Sequence, residues 1–521
     1  MKKHLLTLMT AALTLSACQN SPTLAPAAPV QPLTRMTAAT QPVTRPSAVA
    51  SAAPRSRTTP SLTNVRKVPT LNASTKPVST IPTAAASSAP LTQLAPSGTA
   101  LVSSPAGTAE VLLSSNYNTQ TLIAGLRGSA GQADAQAIAQ RHHLSVERYI
   151  SSIRTVVYKT QGQAVPQLLE ALRGEASLEY VEADQVATQK PNQEKAVTES
   201  FKIFDLAEVN DKYFSQQYSL PAMHVPEAWQ IAKGADTIVA VIDTGVDIDH
   251  PDLKSRVLPG YDAYSQKAGP ESGDVSSLNY LVSSYKHGSH VAGIIAAEAN
   301  NTKGIAGVAP EAKILPIKIF PDLTDIISSI VAPGGDESQT IVSMLADAIV
   351  WAADHGANVI NMSLAVNEQS ATLDRAVAYA LGKNVTVVVA AGNSRHEDNA
   401  RNYLAAINGV IAVGATDDKD NVTFFSNSGD YVSIAAPGLD VISSVPSFLG
   451  INPYVKMSGT SMAAPNVAGV AALLHSKFGA TATPAWIKQR LESSALDRGE
   501  AGRDDLYGHG LVNAYKALGG D

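Results

Sequence analysis

Three polar side chains stand where the sequence changes from one pattern to another. Asp243 ends an apolar run and is followed by Thr-Gly, His287 opens an apolar helical stretch, and Ser461 lies in Gly-Thr-Ser before another one. A serine hydroxyl becomes a good nucleophile only when a histidine takes its proton, and the histidine needs an acid to fix its tautomer. These residue types, spaced by 44 and 174 residues in the order Asp, His, Ser, favour nucleophilic attack on a carbonyl carbon.

Each of these residues has a simpler interpretation when it is considered alone. Asp243 before Thr-Gly is most often a loop cap, and Ser461 at a helix start is most often an N-cap. His287 and His290 have a spacing found in metal ligands, but no HExxH motif or cysteine supports a metal site, and His290 also suits core packing. The combination of all three in one domain favours the catalytic interpretation.

Asn393 could supply the hydrogen-bond donor that this chemistry requires. It follows the run Val-Val-Val-Ala-Ala-Gly, which is typical of a buried strand and its turn. During attack the carbonyl oxygen becomes negatively charged, and a fixed amide together with the backbone N–H groups at a helix N-terminus stabilises it. In isolation an Asn after Gly favours a turn; beside Ser461 we predict that Asn393 donates to the oxyanion.

The elements that must position these residues are short β-branched runs that alternate with helices. The runs are nearly continuous in apolar residues, as in strands buried on both faces of a parallel sheet. We predict strands at 237–243, 313–320, 358–364, 385–391, 410–415 and 432–436, with helices between them that include 341–355 and 370–383. The predicted fold class is α/β with a doubly wound, mostly parallel sheet, in which functional residues collect at the carboxyl ends of the strands.

A smaller α+β unit precedes this sheet. Its predicted order is β-α-β-β-α-β, the split pattern of ferredoxin-like folds. The strands are predicted at 121–126, 144–150, 154–160 and 178–187, and the helices at 130–142 and 165–173. We place the unit at 117–188 and an exposed, polar linker at 189–209.

The first 110 residues differ in composition from the rest. Two lysines precede an apolar stretch that is too short for a membrane-spanning helix but fits the core of a signal peptide. The stretch ends in Leu-Ser-Ala-Cys18, which resembles the bacterial lipoprotein cleavage box, so we expect a signal peptide at 1–18 and lipidation of Cys18. An ordinary signal peptide is the alternative. Residues 19–110 hold 14 of the 30 prolines and are predicted to form a disordered tether.

The charge distribution argues against nucleic acid as a partner. The chain has no acidic residue before Glu110, and from there on it has 30 basic and 45 acidic residues. Nucleic-acid binding requires a basic footprint that replaces counterions, which this acidic body lacks. Cys18 is the only cysteine, so the chain can form no internal disulfide. Any crosslink that stabilises the fold would have to be of another kind, such as a bound metal.

Four motifs in a fixed order resemble those of the subtilisin family of serine proteases. They are DTGVD, HGSHVAG, AAGN and GTSMAAP, and we assign residues 210–521 to a subtilisin-like peptidase domain. The resemblance implies that Ser461 is the nucleophile and His287 the general base. Asp243 would orient His287, and Asn393 would donate to the oxyanion, in a serine endopeptidase that cleaves polypeptide substrates.

The smaller unit carries a resemblance of its own. Its last strand contains YVEADQVA, which looks like the end of the inhibitory propeptides that act as intramolecular chaperones in this family. This implies a precursor that cuts itself within the linker 189–209 and is inhibited by its own propeptide. Two alternatives remain: a non-catalytic binding protein on a protease fold, and a sedolisin-like acid peptidase, which uses Glu and Asp in place of the His–Asp pair and an Asp at the oxyanion.

The same resemblance assigns substrate-binding residues on two walls of a primary specificity pocket. They are Ser363, Leu364, Ala365, Ala390, Ala391 and Gly392. Where the family usually has Gly-Gly, Ala365-Val366 adds side chains that we expect beside the pocket. None of the six residues is charged, so we expect an apolar preference.

Calcium is the metal that the resemblance implies. Asp252 and Asn301 match positions that bind Ca²⁺ in subtilisins, and Asp211 matches a ligand in thermitase. Oxygen ligands from separate loops suit the irregular coordination of calcium. We therefore expect an exported, monomeric, calcium-binding protease that is held to a membrane through lipidated Cys18.

Overall fold

The computed structural model describes residues 108–112, 114–189, 193–197, 209–275, 283–321, 339–447 and 452–520. The predicted signal peptide, Cys18 and nearly all of the predicted tether lie outside them. The described residues belong to one compact unit. None of their helices is both long enough and apolar enough to cross a membrane.

The smaller unit has the ferredoxin-like strand order. Its elements are β1 (Glu110–Leu112), β2 (Tyr117–Leu126), α1 (Gln132–Arg141), β3 (Ser145–Ile150), β4 (Thr155–Lys159), α2 (Val165–Leu172) and β5 (Leu178–Thr188). The sheet order is β1-β5-β2-β4-β3, with β2 antiparallel to both β4 and β5. The β-α-β-β-α-β order predicted from the sequence is therefore present, and β1 is an added edge strand that pairs parallel with β5.

The rest of the described chain alternates strands and helices. The strands are β6 (Gln193–Ala196), β7 (Ile238–Asp243), β8 (Gly260–Asp262), β9 (Lys267–Gly269), β10 (Lys313–Lys318), β11 (Gln339–Ile341), β12 (Val359–Met362), β13 (Thr386–Ala390), β14 (Ile411–Thr416), β15 (Ile434–Pro437), β16 (Val441–Ser444) and β17 (Tyr454–Ser458). The helices are α3 (Ser219–Ala222), α4 (Val225–Ala228), α5 (His287–Ala296), α6 (Val342–Asp354), α7 (Ala371–Gly382), α8 (Thr460–Phe478), α9 (Pro484–Ser494) and α10 (Ala514–Ala517).

Eight of these strands form the central sheet, in the order β15-β14-β13-β12-β7-β10-β8-β9. All neighbours pair in parallel except β8 and β9. Alternate residues of a strand face opposite sides, so Val239 and Val241 pack with α5 and α8. Ala240 and Ile242 pack with α6 and α7 on the other side. The predicted doubly wound α/β fold is confirmed.

The six strands predicted for this sheet are all present, with ends that differ by up to two residues. A separate three-stranded sheet lies outside the sequence prediction. In this sheet β17 pairs antiparallel with both β16 and β6. β6 falls inside the segment predicted as linker: residues 194–196 are exposed, as expected, but 193–196 are paired with β17.

The smaller unit docks through β5 onto the N-termini of α6 and α7. Glu182 accepts hydrogen bonds from the backbone N–H groups of Ala371 and Thr372 at the start of α7. Asp184 accepts from the backbone N–H and hydroxyl of Ser343 at the start of α6. A carboxylate at a helix N-terminus satisfies unpaired N–H groups and complements the positive end of the helix dipole.

Candidate active site

A buried Asp–His pair lies at the carboxyl end of β7. Asp243 is the last residue of that strand and is 1% exposed, and His287 is the first residue of α5. His287 Nδ1 lies 2.8 Å from Asp243 Oδ1 and 2.9 Å from Oδ2. A carboxylate acceptor makes Nδ1 the protonated ring nitrogen, so Nε2 is left as the basic one.

Close contact between the Asp-Thr-Gly and His-Gly-Ser motifs brings Asp243 and His287 together. A Cβ atom on Gly288 would lie 2.2 Å from the carbonyl oxygen of Gly245, so only glycine fits there. The Thr244 hydroxyl accepts a hydrogen bond from the Gly288 N–H, and the Ser289 hydroxyl accepts one from the Asp247 N–H. The sequences Asp-Thr-Gly and His-Gly-Ser thus contain the residues that hold β7 against α5.

Ser461 lies at the N-terminus of α8, the helix that packs under the central sheet. Its hydroxyl donates to the Ser363 carbonyl at 3.3 Å, and the Ser363 hydroxyl donates to the Ser461 carbonyl at 2.9 Å. His287 Nε2 is buried and has no hydrogen-bond partner. The structure therefore joins Asp243 to His287 and Ser461 to the Ser363 strand, but it contains no hydrogen bond between His287 and Ser461.

Asn393 follows β13 and is held by the residue that precedes Ser461. Its Oδ1 accepts hydrogen bonds from the Thr460 backbone N–H at 2.8 Å and from the Thr460 hydroxyl at 2.9 Å. The same hydroxyl accepts from the Gly392 N–H. Because these donors fix the amide oxygen, the amide N–H groups of Asn393 are directed away from Thr460.

A pocket beside Ser461 is lined by five of the six residues predicted to bind substrate. They are Ser363, Leu364, Ala365, Ala390 and Gly392, with Asn393 also at the pocket wall. Ala391 is not among the lining residues. It is buried, and its N–H donates to the Val413 carbonyl of β14.

Two expectations about this pocket need correction. Val366 does not lie beside it, because its side chain is 1% exposed and packs in the core with α6 and α7. The six predicted residues carry no charge, but the pocket wall also includes the carboxylates Glu397 and Asp398. These two residues come from the loop after Asn393, whose side chains the strand pattern could not place.

Asn402, which the sequence did not single out, joins the two walls of the pocket. It is buried, and its amide nitrogen donates to the carbonyl oxygens of Leu364 and Ala390, one on each wall of the pocket. Its amide oxygen accepts from the Val366 N–H. The sequence offered only an Asn in a polar loop, whereas the structure shows a brace between the two walls.

The end of β5 lies across this site. Residues Val186–Thr188 pair antiparallel with β11, and Thr188 exchanges two backbone hydrogen bonds of 3.2 Å with Ala365. Gln189 is buried, and its side-chain Nε2 lies 2.6 Å from His287 Nδ1 and donates to Asp243 Oδ1 at 3.4 Å. The chain that leaves the smaller unit thus lies between two strands and ends in contact with the Asp–His pair.

The three predicted calcium ligands lie around one loop. Asp211 accepts hydrogen bonds from the backbone N–H groups of Asn300 and Asn301, and Asp252 accepts one from the Asn301 side-chain amide. Burial raises the pKa of Asp211, and the nearby charge of Asp252 adds to the rise. Two repelling carboxylates and an amide oxygen form a donor set that suits Ca²⁺, but Asn301 would have to turn, since its oxygen accepts from the Lys303 N–H.

The alternative of a histidine metal pair gains no support. His290 is fully buried, and its Nε2 donates to the Val455 carbonyl, while burial lowers its pKa to about 3. Among the described residues no group of three or more His, Cys, Asp or Glu side chains could hold a metal ion. His290 is therefore a core residue, as the packing interpretation predicted.

A doubly wound sheet with an Asp–His pair after one strand and a serine at a helix N-terminus defines an α/β serine protease with the chain order Asp, His, Ser. The chain belongs to the subtilase family, whose model matches residues 234–510. This family assignment makes the protein a subtilisin-like serine endopeptidase.

Known proteins support the assignment across most of the described chain. Thermitase from Thermoactinomyces vulgaris is 40% identical over 310 residues, which cover 59% of this chain and 98% of thermitase. Fervidolysin from Fervidobacterium pennivorans is 35% identical over 424 residues, which cover 76% of this chain and 58% of fervidolysin. The crystal structure of fervidolysin, a keratinolytic enzyme related to subtilisin, superposes with a TM-score of 0.69 and 31% identity over 80% of this chain and 64% of that one.

The Thr460 hydroxyl should matter for turnover because it orients Asn393. We expect Thr460→Val to lower kcat about tenfold with little change in KM, since the Asn393 amide oxygen then keeps only the hydrogen bond from the Thr460 backbone N–H and the Gly392 N–H loses its acceptor. Thr460→Ser keeps the hydroxyl and should retain most of the activity. Steady-state kinetics on one peptide substrate compares the variants, and equal losses in both would contradict a role of the hydroxyl.

Proposed function

We propose that this protein is an exported, self-processing endopeptidase whose precursor is inhibited by its residues 117–188. The observation that carries the proposal is the path of the chain after β5. Val186–Thr188 add a strand between β11 and Ala365, and Gln189 reaches His287. A peptide that binds a protease edge as an added strand occupies the position of a substrate.

In the proposed reaction Ser461 attacks the scissile carbonyl and His287 Nε2 takes its proton. The hydroxyl must first turn from the Ser363 carbonyl, at 3.3 Å, toward the unpartnered Nε2. Catalytic hydrogen bonds of this kind often tighten only when substrate is bound. Asp243 then stabilises the imidazolium, and His287 returns the proton to the leaving amine, which leaves an acyl-enzyme for water to hydrolyse.

The oxyanion of this reaction would be held by two donors. Asn393 has its amide oxygen fixed by Thr460, so its N–H groups are free to point toward the carbonyl that Ser461 attacks. The second donor is the backbone N–H at the start of α8, where the helix dipole is also favourable. Both donors come from rigid elements, so they need little reorganisation during the reaction.

Two other interpretations fit the site less well. A non-catalytic binding protein would have no need of a buried Asp–His pair with an unpartnered ring nitrogen beside a pocket. A sedolisin-like acid peptidase would carry a Glu in place of His287 and an Asp in place of Asn393. A rate that rises from pH 5 to pH 8 distinguishes the serine protease from the acid peptidase.

The interface with β5 supports inhibition by the smaller unit. Glu182 and Asp184 are fully buried in it, and each is paired with helix N–H groups and hydroxyls rather than with a cation. Burial raises the pKa of Glu182 to about 7 and that of Asp184 to about 6, against the hydrogen bonds that lower them. The contact is therefore specific and sensitive to pH.

Export and anchoring rest on the N-terminal sequence and on a relative. One relative, 31% identical over 463 residues, is named an extracellular protease from Xanthomonas campestris. The signal-peptide pattern of residues 1–18 agrees with export, and Cys18 at the end of a lipoprotein-like box would anchor the chain through a lipid. The predicted tether, up to the start of β1 at Glu110, would then separate the protease from the membrane.

Calcium would stabilise the loop between Asn300 and Ile305. Asp211 and Asp252 already orient this loop through its backbone N–H groups, and a bound ion would neutralise two nearby carboxylates. Asn300 and Thr302 have positive φ angles of 62° and 65°, so the loop has a tight conformation that a ligand could fix. The ion would be structural, since none of its proposed ligands belongs to the Asp243, His287 and Ser461 set.

Maturation of the precursor tests the proposed self-processing. We expect Ser461→Ala to accumulate as full-length, folded chain, because the nucleophile that cuts the linker 189–209 is gone. Intact mass and N-terminal sequencing of the purified protein measure this, and Ser255→Ala, a surface serine, serves as the control that still matures. Spontaneous appearance of the mature form in Ser461→Ala would rule out self-processing.

Inhibition by the propeptide should depend on pH. The pKa values of Glu182 and Asp184 are higher in the bound propeptide than in the free one, so the complex binds protons more tightly. The affinity of the propeptide for the peptidase domain is therefore highest below about pH 4 and declines as the pH rises through 6 and 7. We expect the Kd of the complex between the free propeptide and the Ser461→Ala peptidase domain to rise at least about tenfold from pH 5 to pH 8.

Glu182→Gln tests the cause of this pH dependence. The variant should bind more weakly but with a flatter profile, whereas Glu170→Gln on the outer surface should behave like the wild type. Direct binding measurements avoid the separate effect of pH on catalysis. A steep profile that persists in both variants would refute the role of Glu182.

Thermal unfolding tests the proposed calcium site. A ligand at a hundredfold excess over its Kd stabilises the native state by about 2.7 kcal/mol. We therefore expect Ca²⁺ to raise, and EDTA to lower, the thermal unfolding temperature of the Ser461→Ala chain by several degrees. Asp252→Asn should abolish the difference and Asp430→Asn, an exposed carboxylate, should keep it. Superimposable unfolding curves with Ca²⁺ and EDTA would exclude the site.

A further inference from the structure

A second strand of the chain lies on the other side of Ser461. Residues Gln193–Ala196 pair antiparallel with β17, in the register Gln193 to Ser458 through Ala196 to Val455. β17 ends three residues before Ser461, so this pairing begins next to the nucleophile. We call Tyr454–Ser458, together with Lys286 and Asp440, the β17 edge.

The direction of the chain relates this edge to the site. Thr188 is bonded to Ala365 on one side of the site, and Gln189 reaches His287. Four residues later Gln193 is on β17. A peptide that runs in the same direction places the residues before its scissile bond along Ala365 and those after it along the β17 edge.

Two ion pairs hold the strand on the β17 edge. Glu194 contacts Lys286 at 2.9 Å, and Lys195 contacts Asp440 at 2.7 Å. Consecutive side chains of a strand point to opposite faces, so the two pairs clamp the strand from both faces. A slip by one residue would bring Lys195 to the Lys286 side and Glu194 to the Asp440 side. The charges therefore fix the register as well as the affinity.

Both protein charges are positioned by the site itself. Lys286 directly precedes His287, and the Asp440 N–H donates to the Ser458 hydroxyl, which donates back to Asp440 Oδ1. Asp440 Oδ2 is the oxygen that contacts Lys195. Lys456 lies directly across from Lys195, and like charges in this position repel each other. The ion pair between Lys195 and Asp440 offsets this repulsion.

We propose that the β17 edge is a substrate subsite that reads an acidic residue followed by a basic one on the leaving-group side of the scissile bond. The proposal rests on the proposed endopeptidase function and names the substrate class of the same site. The linker of the precursor is the first ligand of the subsite. Extended peptides with an acid–base pair after the cleaved bond are the substrates that fit it.

The intact chain tests the contact without catalysis. In the full-length Ser461→Ala chain, we expect Glu194→Lys with Lys195→Glu to speed hydrogen exchange of the 194–196 amides about fivefold to tenfold, because the attractions to Lys286 and Asp440 become repulsions and only the repulsion between residue 195 and Lys456 is relieved. Adding Lys286→Glu with Asp440→Lys should restore protection. Exchange that is unchanged by the first pair, or not restored by the second, would overturn the proposal.

Processed enzyme tests the specificity. Two fluorogenic peptides share one sequence before the scissile bond and carry Glu-Lys or Lys-Glu after it, moved together through successive positions. At one position we expect kcat/KM to be about five times higher for Glu-Lys, because each partly exposed ion pair contributes modestly. The ratio within each enzyme cancels any general effect of Lys286 on its neighbour His287.

Two enzyme variants complete the design. Lys286→Glu with Asp440→Lys should invert the preference, and exchange of the remote pair Lys383 and Asp354 should leave it unchanged. Equal rates for the two peptides at every position would overturn the subsite while the proposed endopeptidase function stands. Failure to cleave any peptide would instead refute the endopeptidase function and the subsite with it.

Discussion

The structure depends on keeping one carboxylate buried next to one imidazole. An unpaired charge in a protein interior is costly, so Asp243 persists only because His287 Nδ1 and the Thr244 N–H both donate to it. That requirement explains the glycines at 245 and 288, which let two backbones approach closely. It also places the site at the carboxyl end of β7, in the centre of the parallel sheet. Ser363 and Asn393 then follow, because β12 and β13 end at the same edge.

The same edges that serve the proposed reaction also receive the chain itself. Backbone groups at Ala365 and along β17 would be unpaired strand edges, and exposed edges recruit other strands. In this structure Thr188 covers the first edge and residues 193–196 cover the second. Affinity on both sides comes from backbone hydrogen bonds, which any sequence provides, so discrimination has to come from side chains. The ion pairs at Lys286 and Asp440 are such a source of discrimination.

The sequence predicted the elements whose pattern is local and left out those that depend on distant contacts. Continuous apolar runs identified β7 and β13, because burial on both faces dictates their composition. Motifs around Asp243 and His287 identified the pair, since their glycines and hydroxyls have local roles. β6 is polar and short and is a strand only because it pairs with β17, whose other neighbour is β16.

The same reason explains the errors at the pocket. Val366 packs in the core with residues of α6 and α7, and its backbone N–H donates to Asn402, 36 residues later. Glu397 and Asp398 reach the pocket through a loop with no periodic pattern. In both cases the deciding contact joins residues far apart in the sequence, and no local signal records it. His290, by contrast, packs in the core as the sequence predicts, because the apolar helix around it is itself a local pattern.

The register of the inhibitory strand is set away from the active site. Glu182 is bound to the start of α7, which follows the Ser363 strand, and Asp184 is bound to the start of α6, which follows β11. These are the two strands that flank Thr188. Since Glu182, Asp184 and Thr188 are separated by even numbers of residues on one strand, the helix N-termini that hold Glu182 and Asp184 also fix the register in which the backbone of Thr188 pairs with Ala365. The N-termini of α6 and α7, which do not belong to the Asp243, His287 and Ser461 set, thus align the chain so that Gln189 reaches His287.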